Sequence, residues 1–259
     1  MKDRKDKRMG MLRFYYVALS SPLFVTKTVF KCKKVMKHPE EYTEEERYRM
    51  AQHIMEHMRR RGRATTKVYG LENLPKEGGY IMYSNHQGKY DALGILLNHK
   101  EPCSVLMEKN QSEKILAKQV IDLVGGKRLD FKNPRQMLTT LGELAAEVRE
   151  GRRYLIFPEG KWGDNKNTLQ QFNSGCFRCS LESRTPIVPV VIIDSYKALN
   201  GNSFKRAVTY MHVLPQIQYE AYKDMKKTEI SAMVKSLIQE KIDYELAARR
   251  QNEREKNNG

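Results

Sequence analysis

Two short apolar runs, Tyr80-Ile81-Met82-Tyr83 and Tyr154-Leu155-Ile156-Phe157, constrain this chain more than anything else in it. Each has the length and the β-branched or aromatic content of a buried strand. Strands covered on both faces belong to largely parallel sheets with helices on either side. Each run also stops at chemistry. The first leads through Ser84 and Asn85 to His86 and Asp91, and the second runs straight into Pro158-Glu159-Gly160. In open α/β sheets, ligands bind beyond the carboxyl ends of the strands.

His86 and Asp91 are a base with a candidate orienter. A neutral imidazole accepts a hydroxyl proton through one ring nitrogen when the other is held as a donor, and a nearby carboxylate does that holding. Residues five apart on a continuous helix diverge by roughly 140°, so the pair needs a turn between them. Gly88 permits one. The plainer alternative is a surface histidine beside an aspartate that caps a helix.

The rest of the chain alternates in the same way. Thr65–Tyr69, Gly79–Tyr83, Cys103–Met107, Arg128–Phe131, Tyr154–Phe157, Pro186–Ile193, Ala207–Leu214 and Ile217–Tyr219 read as strands. The prolines of the sixth argue for an edge or an irregular start. Helices are expected over Ser112–Val124, from Pro134 to Gly151, over Phe172–Ser183, and in a C-terminal stripe of Ile230, Met233, Val234, Leu237, Ile238 and Ile242 that precedes a charged tail. The fold class is therefore α/β, a mixed, largely parallel sheet flanked by helices.

What precedes the core is different in character. Of the net charge of +16, residues 1–37 carry +9, from eleven Lys/Arg against two Asp. That excess points to an anionic partner. It sits beside an apolar segment, Met9–Phe30, whose longest uncharged run, Phe14–Thr26, falls short of the ~20 residues a spanning helix needs. Thr43-x-x-Glu46 then opens a second amphipathic helix with Tyr48, Ala51, Met55 and Met58 on one face. Residues 1–62 are expected to be a basic two-helix segment that docks on an anionic membrane surface, and residues 63–259 the α/β domain. No aromatic-basic recognition motif points to nucleic acid. Cys32, Cys103, Cys176 and Cys179 make no disulfide framework, which fits a reducing compartment, and Cys176-x-x-Cys179 lacks the second pair that a zinc site needs.

Together these pieces resemble the glycerolipid acyltransferase family, typified by lysophosphatidic acid acyltransferases. Asn85-His86 through Asp91 matches the family's N-H-x4-D box, and Phe157-Pro158-Glu159-Gly160 its F-P-E-G box. Phe172-x-x-Gly175 and Pro186-Ile187-Val188-Pro189-Val190 match two later elements, so the resemblance covers roughly residues 65–215. It implies transfer of a fatty acyl group from acyl-CoA or acyl carrier protein to the free hydroxyl of 1-acyl-glycerol-3-phosphate, on the cytoplasmic face of a membrane, with neither metal nor prosthetic group. His86 and Asp91 become the catalytic pair. Asn85, Glu159 and Gly160 are implied to shape the acceptor site, with Lys161 and Arg128 as candidate contacts to its phosphate, and backbone amides around Asn85–Gly88 are candidate oxyanion donors.

The second family box departs from pattern. Where an Asp-Arg pair is expected the chain reads Gly126-Lys127-Arg128-Leu129-Asp130-Phe131, and after Gly160 it has Lys161-Trp162-Gly163 in place of Thr-Arg-Ser. Arg128 is the first candidate for the missing cation, ahead of Lys127 and Lys132, because it shares a strand face with Asp130. The departures keep open a different lysolipid or alcohol as acceptor. From another class, the charge alone suits a non-catalytic basic protein that binds membranes or nucleic acid.

Overall fold

The computed structural model describes residues 13–17, 19–199 and 205–258; the basic tail Lys2–Arg8 and Leu12 lie outside them. One sheet runs β1-β7-β6-β2-β5-β3-β4, where β1 is Ala64–Tyr69, β2 Tyr80–Ser84, β3 Ser104–Glu108, β4 Lys127–Leu129, β5 Arg153–Ile156, β6 Ile187–Ile193 and β7 Ala207–Val213. All neighbouring pairs are parallel except β6 with β7. Side chains alternate between two cores: Tyr80 and Met82 join one, Ile81 and Tyr83 the other.

Helices α1 (Pro22–Lys37), α2 (Glu44–Arg61), α3 (Asp91–Asn98) and α5 (Ala117–Leu123) bury their apolar faces in the first core. Helices α6 (Pro134–Arg149), α7 (Arg178–Ser183) and α9 (Lys227–Asn258) serve the second, and the single-turn helices α4 (Lys109–Ser112) and α8 (Tyr196–Leu199) lie between strands. The capping box of α2 forms as the sequence implies: Thr43 Oγ1 accepts from Glu46 N at 3.2 Å, and Glu46 Oε2 accepts from Thr43 N at 2.8 Å. Along α9 the buried row is Ile230, Val234, Ile238 and Ile242.

The N-terminal helices are not a separate layer. Val25, Cys32 and Val35 of α1 and Tyr48, Ala51, Ile54, Met55 and Met58 of α2 belong to the same core as β2 and β3. Residue 62 therefore marks no packing boundary. Arg13, which interrupts the apolar run in sequence, is 3% exposed and donates to the carbonyls of Gly62, Lys197 and Lys205.

Four local expectations change. The helix expected over Ser112–Val124 breaks at Leu116, whose φ of 66° cannot continue it. Ile217 makes a single antiparallel bridge to Ile187 and then enters a 3-10 turn, Tyr219–Ala221, which aims the Tyr222 hydroxyl at the carbonyls of Ser180 and Thr185. No strand forms there. Strand β6 is interior, not an edge, and tolerates Pro189 because β7 has already run out. Its last pair is Val190 with Val213, and Leu214 N then closes on the Pro189 carbonyl at 2.9 Å. Finally, α9 continues through the charged stretch that was expected to be a tail.

Register sets the stage for the site. Tyr83 pairs with Ile156, so His86 and Glu159 each lie three residues past a matched position on adjacent parallel strands. Ser84 pairs with Val190 on the other side of β2, which brings the end of β6 to the same edge.

Candidate active site

Asp91 organises the turn after β2. Its side chain is fully buried, and Oδ2 accepts from His86 Nδ1 at 2.6 Å, Gln87 N at 2.5 Å and Gly88 N at 2.7 Å. Oδ1 accepts from Ser195 Oγ at 2.5 Å. An ionised carboxylate has only acceptor sites, so each of these partners must donate, and His86 carries its proton on Nδ1. Nε2 is left as the acceptor of a neutral imidazole. The turn anticipated from Gly88 is present, and the two residues form a dyad.

The imidazole is held from two further directions. It stacks on Phe157 with ring centroids 4.2 Å apart and planes 19° from parallel. His86 N donates to Glu159 Oε1 at 3.0 Å, and Gln170 Nε2 holds Glu159 Oε2 at 2.6 Å. Burial raises the Glu159 pKa against these hydrogen bonds, which lower it. Gly160 turns the chain after Glu159 with a φ of 71°, which favours glycine, and a Cβ there would meet Phe131 Cζ at 3.7 Å. The aromatic ring that replaces the expected arginine thus leans on the turn after β5.

Some of the expected site residues are placed elsewhere. The Asn85 amide exchanges two hydrogen bonds with the Ile192 backbone, 2.9 and 2.8 Å, and clamps β2 to β6 away from the cavity. The amides of His86, Gln87 and Gly88 are taken by Glu159 and Asp91, so they are not oxyanion donors. Arg128 turns to Asp122 Oδ1 at 2.5 Å and Glu113 Oε1 at 3.2 Å, and Lys127 to Glu147 and Glu143. Neither they nor Lys132 line the cavity that His86 faces. Lys161 does, together with Glu159 and Gly160.

That cavity holds about 580 Å³ and is mostly apolar, within the range of small-molecule sites. Met55 and Met58 of α2, Leu93 and Leu96 of α3, Val105 of β3 and Leu141 of α6 are among its apolar lining. Phe14 lines it as well. Its polar lining includes His86, Lys89, Lys114 and Lys161. Burial, reinforced by Lys114, lowers the Lys89 pKa to about 8.

Sequence reasoning passed over Ser195, Gln87, Gln170 and Asn167. Gln87 Nε2 donates to Asn167 Oδ1 at 2.9 Å and its Oε1 accepts from Ser195 N at 2.8 Å, which knits the loops after β2, β5 and β6 together. Ser195 lies just past the end of β6, so the strand-end rule that singled out His86 and Glu159 was enough to find it. Ser195→Ala leaves Asp91 Oδ1 buried without its donor and is expected to lower kcat about tenfold, since hydrogen bonds to charged groups contribute ~1.5–3 kcal/mol. Ser195→Thr, which keeps the hydroxyl, should restore most of it in steady-state assays.

An oriented imidazole whose Nε2 has no partner among the described residues, lining a mostly apolar cavity, suits proton removal from an alcohol during acyl transfer. The family model described as Acyltransferase matches residues 65–193, which contain the dyad, Glu159 and the clamp on β6. The chain belongs to that family. This acyltransferase is 27% identical to the 1-acyl-sn-glycerol-3-phosphate acyltransferase of Escherichia coli over 177 residues, 66% of this chain and 71% of the relative. It is 26% identical to the Saccharomyces cerevisiae protein of the same name over 181 residues, but there it spans only 58% of the relative. The crystal structure of the 1-acyl-sn-glycerophosphate acyltransferase of Thermotoga maritima superposes with a TM-score of 0.70 over 95% of this chain and 98% of that one, at 16% identity. At that identity the likeness establishes the fold. As an O-acyltransferase, the protein is no longer open to the non-catalytic reading that its charge alone allowed.

Proposed function

We propose that this acyltransferase moves a fatty acyl group from a thioester, on coenzyme A or acyl carrier protein, to the free hydroxyl of 1-acyl-glycerol-3-phosphate, giving phosphatidic acid. The observation that carries this is the His86–Asp91 dyad beside a deep apolar cavity with lysines among its polar lining; the names of the relatives support the acceptor. His86 Nε2 takes the hydroxyl proton as the oxygen attacks the thioester carbonyl. Asp91 stabilises the resulting imidazolium. Collapse of the tetrahedral intermediate breaks the C–S bond, and the proton passes from His86 to the departing sulfur, which leaves the ester and a free thiol. Glu159 and Gly160 fix the wall beside His86, Asn85 fixes the strand end beneath it, and Lys161 supplies positive charge at the mouth. Arg128 reaches a phosphate only by exchanging Asp122 and Glu113 for it.

Thiol release from acyl-CoA, measured with and without 1-acyl-glycerol-3-phosphate, tests the reading. Acceptor-dependent release supports it. Release only with a phosphate-free monoacylglycerol favours a different alcohol acceptor, which Phe131 in place of a phosphate-binding arginine keeps in play.

The enzyme docks on the cytoplasmic face of a membrane without crossing it. No described helix is long and apolar enough to span. Leu19, Leu23 and Phe30 are 76%, 77% and 67% exposed, and Leu23 and Phe30, seven residues apart, share one face of α1. Lys27, Lys31 and Lys34 lie on the same helix. Each such charge near an anionic surface contributes ~1 kcal/mol and is screened by salt, whereas apolar insertion is not. A Leu23→Glu/Phe30→Glu pair should therefore release the enzyme from anionic vesicles at all salt concentrations in a co-sedimentation assay. Neutralising the three lysines should weaken binding chiefly at low salt, where their charge is unscreened, and change little at high salt.

A further inference from the structure

Lys89 stands inside the catalytic turn, three residues after His86, and its ammonium lies 5.2 Å from the Phe14 ring centroid and 5.6 Å from that of Trp162. The two aromatic faces hold the charge in the cavity wall, where it is half-buried. The carboxylates that line the same cavity are engaged by other donors. Glu108 accepts from the amides of Asn110 and Gln111 as the cap of α4, and Glu159 from His86 N and Gln170. Three lysines, Lys89, Lys114 and Lys161, line the cavity against these two carboxylates, which biases it towards anions.

We propose that Lys89, steadied by Trp162, is the residue that reads the phosphate of the acceptor and so determines specificity for a phosphorylated lysolipid. The proposal rests on the acceptor argued above and adds the residue that recognises it. Lysine binds phosphate as a point charge, and a low-dielectric wall strengthens that attraction. The geometry favours Lys89 over the other lysines of the cavity because its backbone leaves the same turn that Asp91 pins at His86, Gln87 and Gly88. Base and cation are carried by one rigid piece. The spacing between a substrate's reacting hydroxyl and its phosphate is therefore measured against a fixed ruler.

The test compares the full chain with Lys89→Met, Lys89→Arg and Trp162→Leu, using 1-acyl-glycerol-3-phosphate and phosphate-free 1-monoacylglycerol in the same detergent micelles. Loss of a charge-assisted contact should lower kcat/KM of Lys89→Met for the phosphorylated acceptor about tenfold or more relative to monoacylglycerol. The KM for acyl-CoA should hold at its wild-type value. Trp162→Leu should shift the same ratio in the same direction by less.

A pH series gives a readout that does not depend on whether Lys89→Met folds well. The ammonium is charged below a pKa of about 8 and neutral above it. The wild-type KM for the phosphorylated acceptor should therefore rise as pH climbs through that value, and Lys89→Arg, charged throughout, should abolish the rise. Equal losses on both acceptors, or a raised KM for acyl-CoA instead, would overturn the assignment, the latter by placing the donor's phosphates on Lys89. A wild-type enzyme that acylates monoacylglycerol and not the phosphorylated acceptor would sink the proposed acceptor itself. Unaltered kinetics in Lys89→Met with the wild type active on the phosphorylated acceptor would sink only Lys89.

Discussion

His86→Ala is expected to lower kcat by about 10²–10⁴-fold while the protein stays folded, because a positioned general base contributes that much and no neighbour can replace it. The carboxylates beside it are occupied, Glu159 by His86 N and Gln170 Nε2 and Asp91 by Gln87 N, Gly88 N and Ser195 Oγ. The imidazole is also a wall of an open cavity, with its ring on Phe157 and its side chain 17% exposed, so truncation enlarges a space already accessible to ligand. Steady-state kinetics beside a thermal melt separate the two effects. A folded variant that retained more than about a tenth of wild-type turnover would show that the proton goes elsewhere.

The second large effect concerns the N-terminus. Deleting residues 1–37 is expected to abolish activity on membrane-embedded and short-chain soluble acceptors alike. A segment that only docked would be dispensable for a soluble substrate. This one contributes Val25, Cys32 and Val35 to the core, places Phe14 in the cavity wall, and plugs three backbone carbonyls with Arg13. Burying an apolar side chain of that size stabilises by ~1.5–3 kcal/mol, so the loss consumes much of a typical 5–15 kcal/mol of stability. Circular dichroism melts of the truncated chain should show a midpoint lowered by many degrees. A truncated protein that melted normally and acylated a soluble acceptor at wild-type rate would restore the view of residues 1–37 as an anchor alone.

The contrast shows where sequence was informative. Strand positions were legible because β2, β5 and β6 are covered on both faces, so that composition alone marks them. The contact between His86 and Asp91 was legible because both come from one turn and their spacing carries the geometry. The partners of Arg128 were not. Alternation along β4 put Arg128 beside Asp130, but Asp122 and Glu113, brought in by the break at Leu116, claim it first. Nor could the inward role of Arg13 be read, since its three carbonyl partners lie 49, 184 and 192 residues away along the chain. In sequence it looks like a charge that interrupts an apolar helix.

That separation has a consequence for how the enzyme is made. Synthesis runs from the N-terminus, and elements generally fold as their partners emerge. The guanidinium of Arg13 has no access to the carbonyls of Lys197 and Lys205 until most of the polypeptide has left the ribosome. During translation the apolar side of α1, both the part that ends in the core and the part that stays outside, is therefore uncovered. The contacts of Arg13 with Lys197 and Lys205 can close only once those residues have emerged, so the N-terminal end of the chain, with the Phe14 wall of the cavity beside it, is among the last parts to be fixed in place.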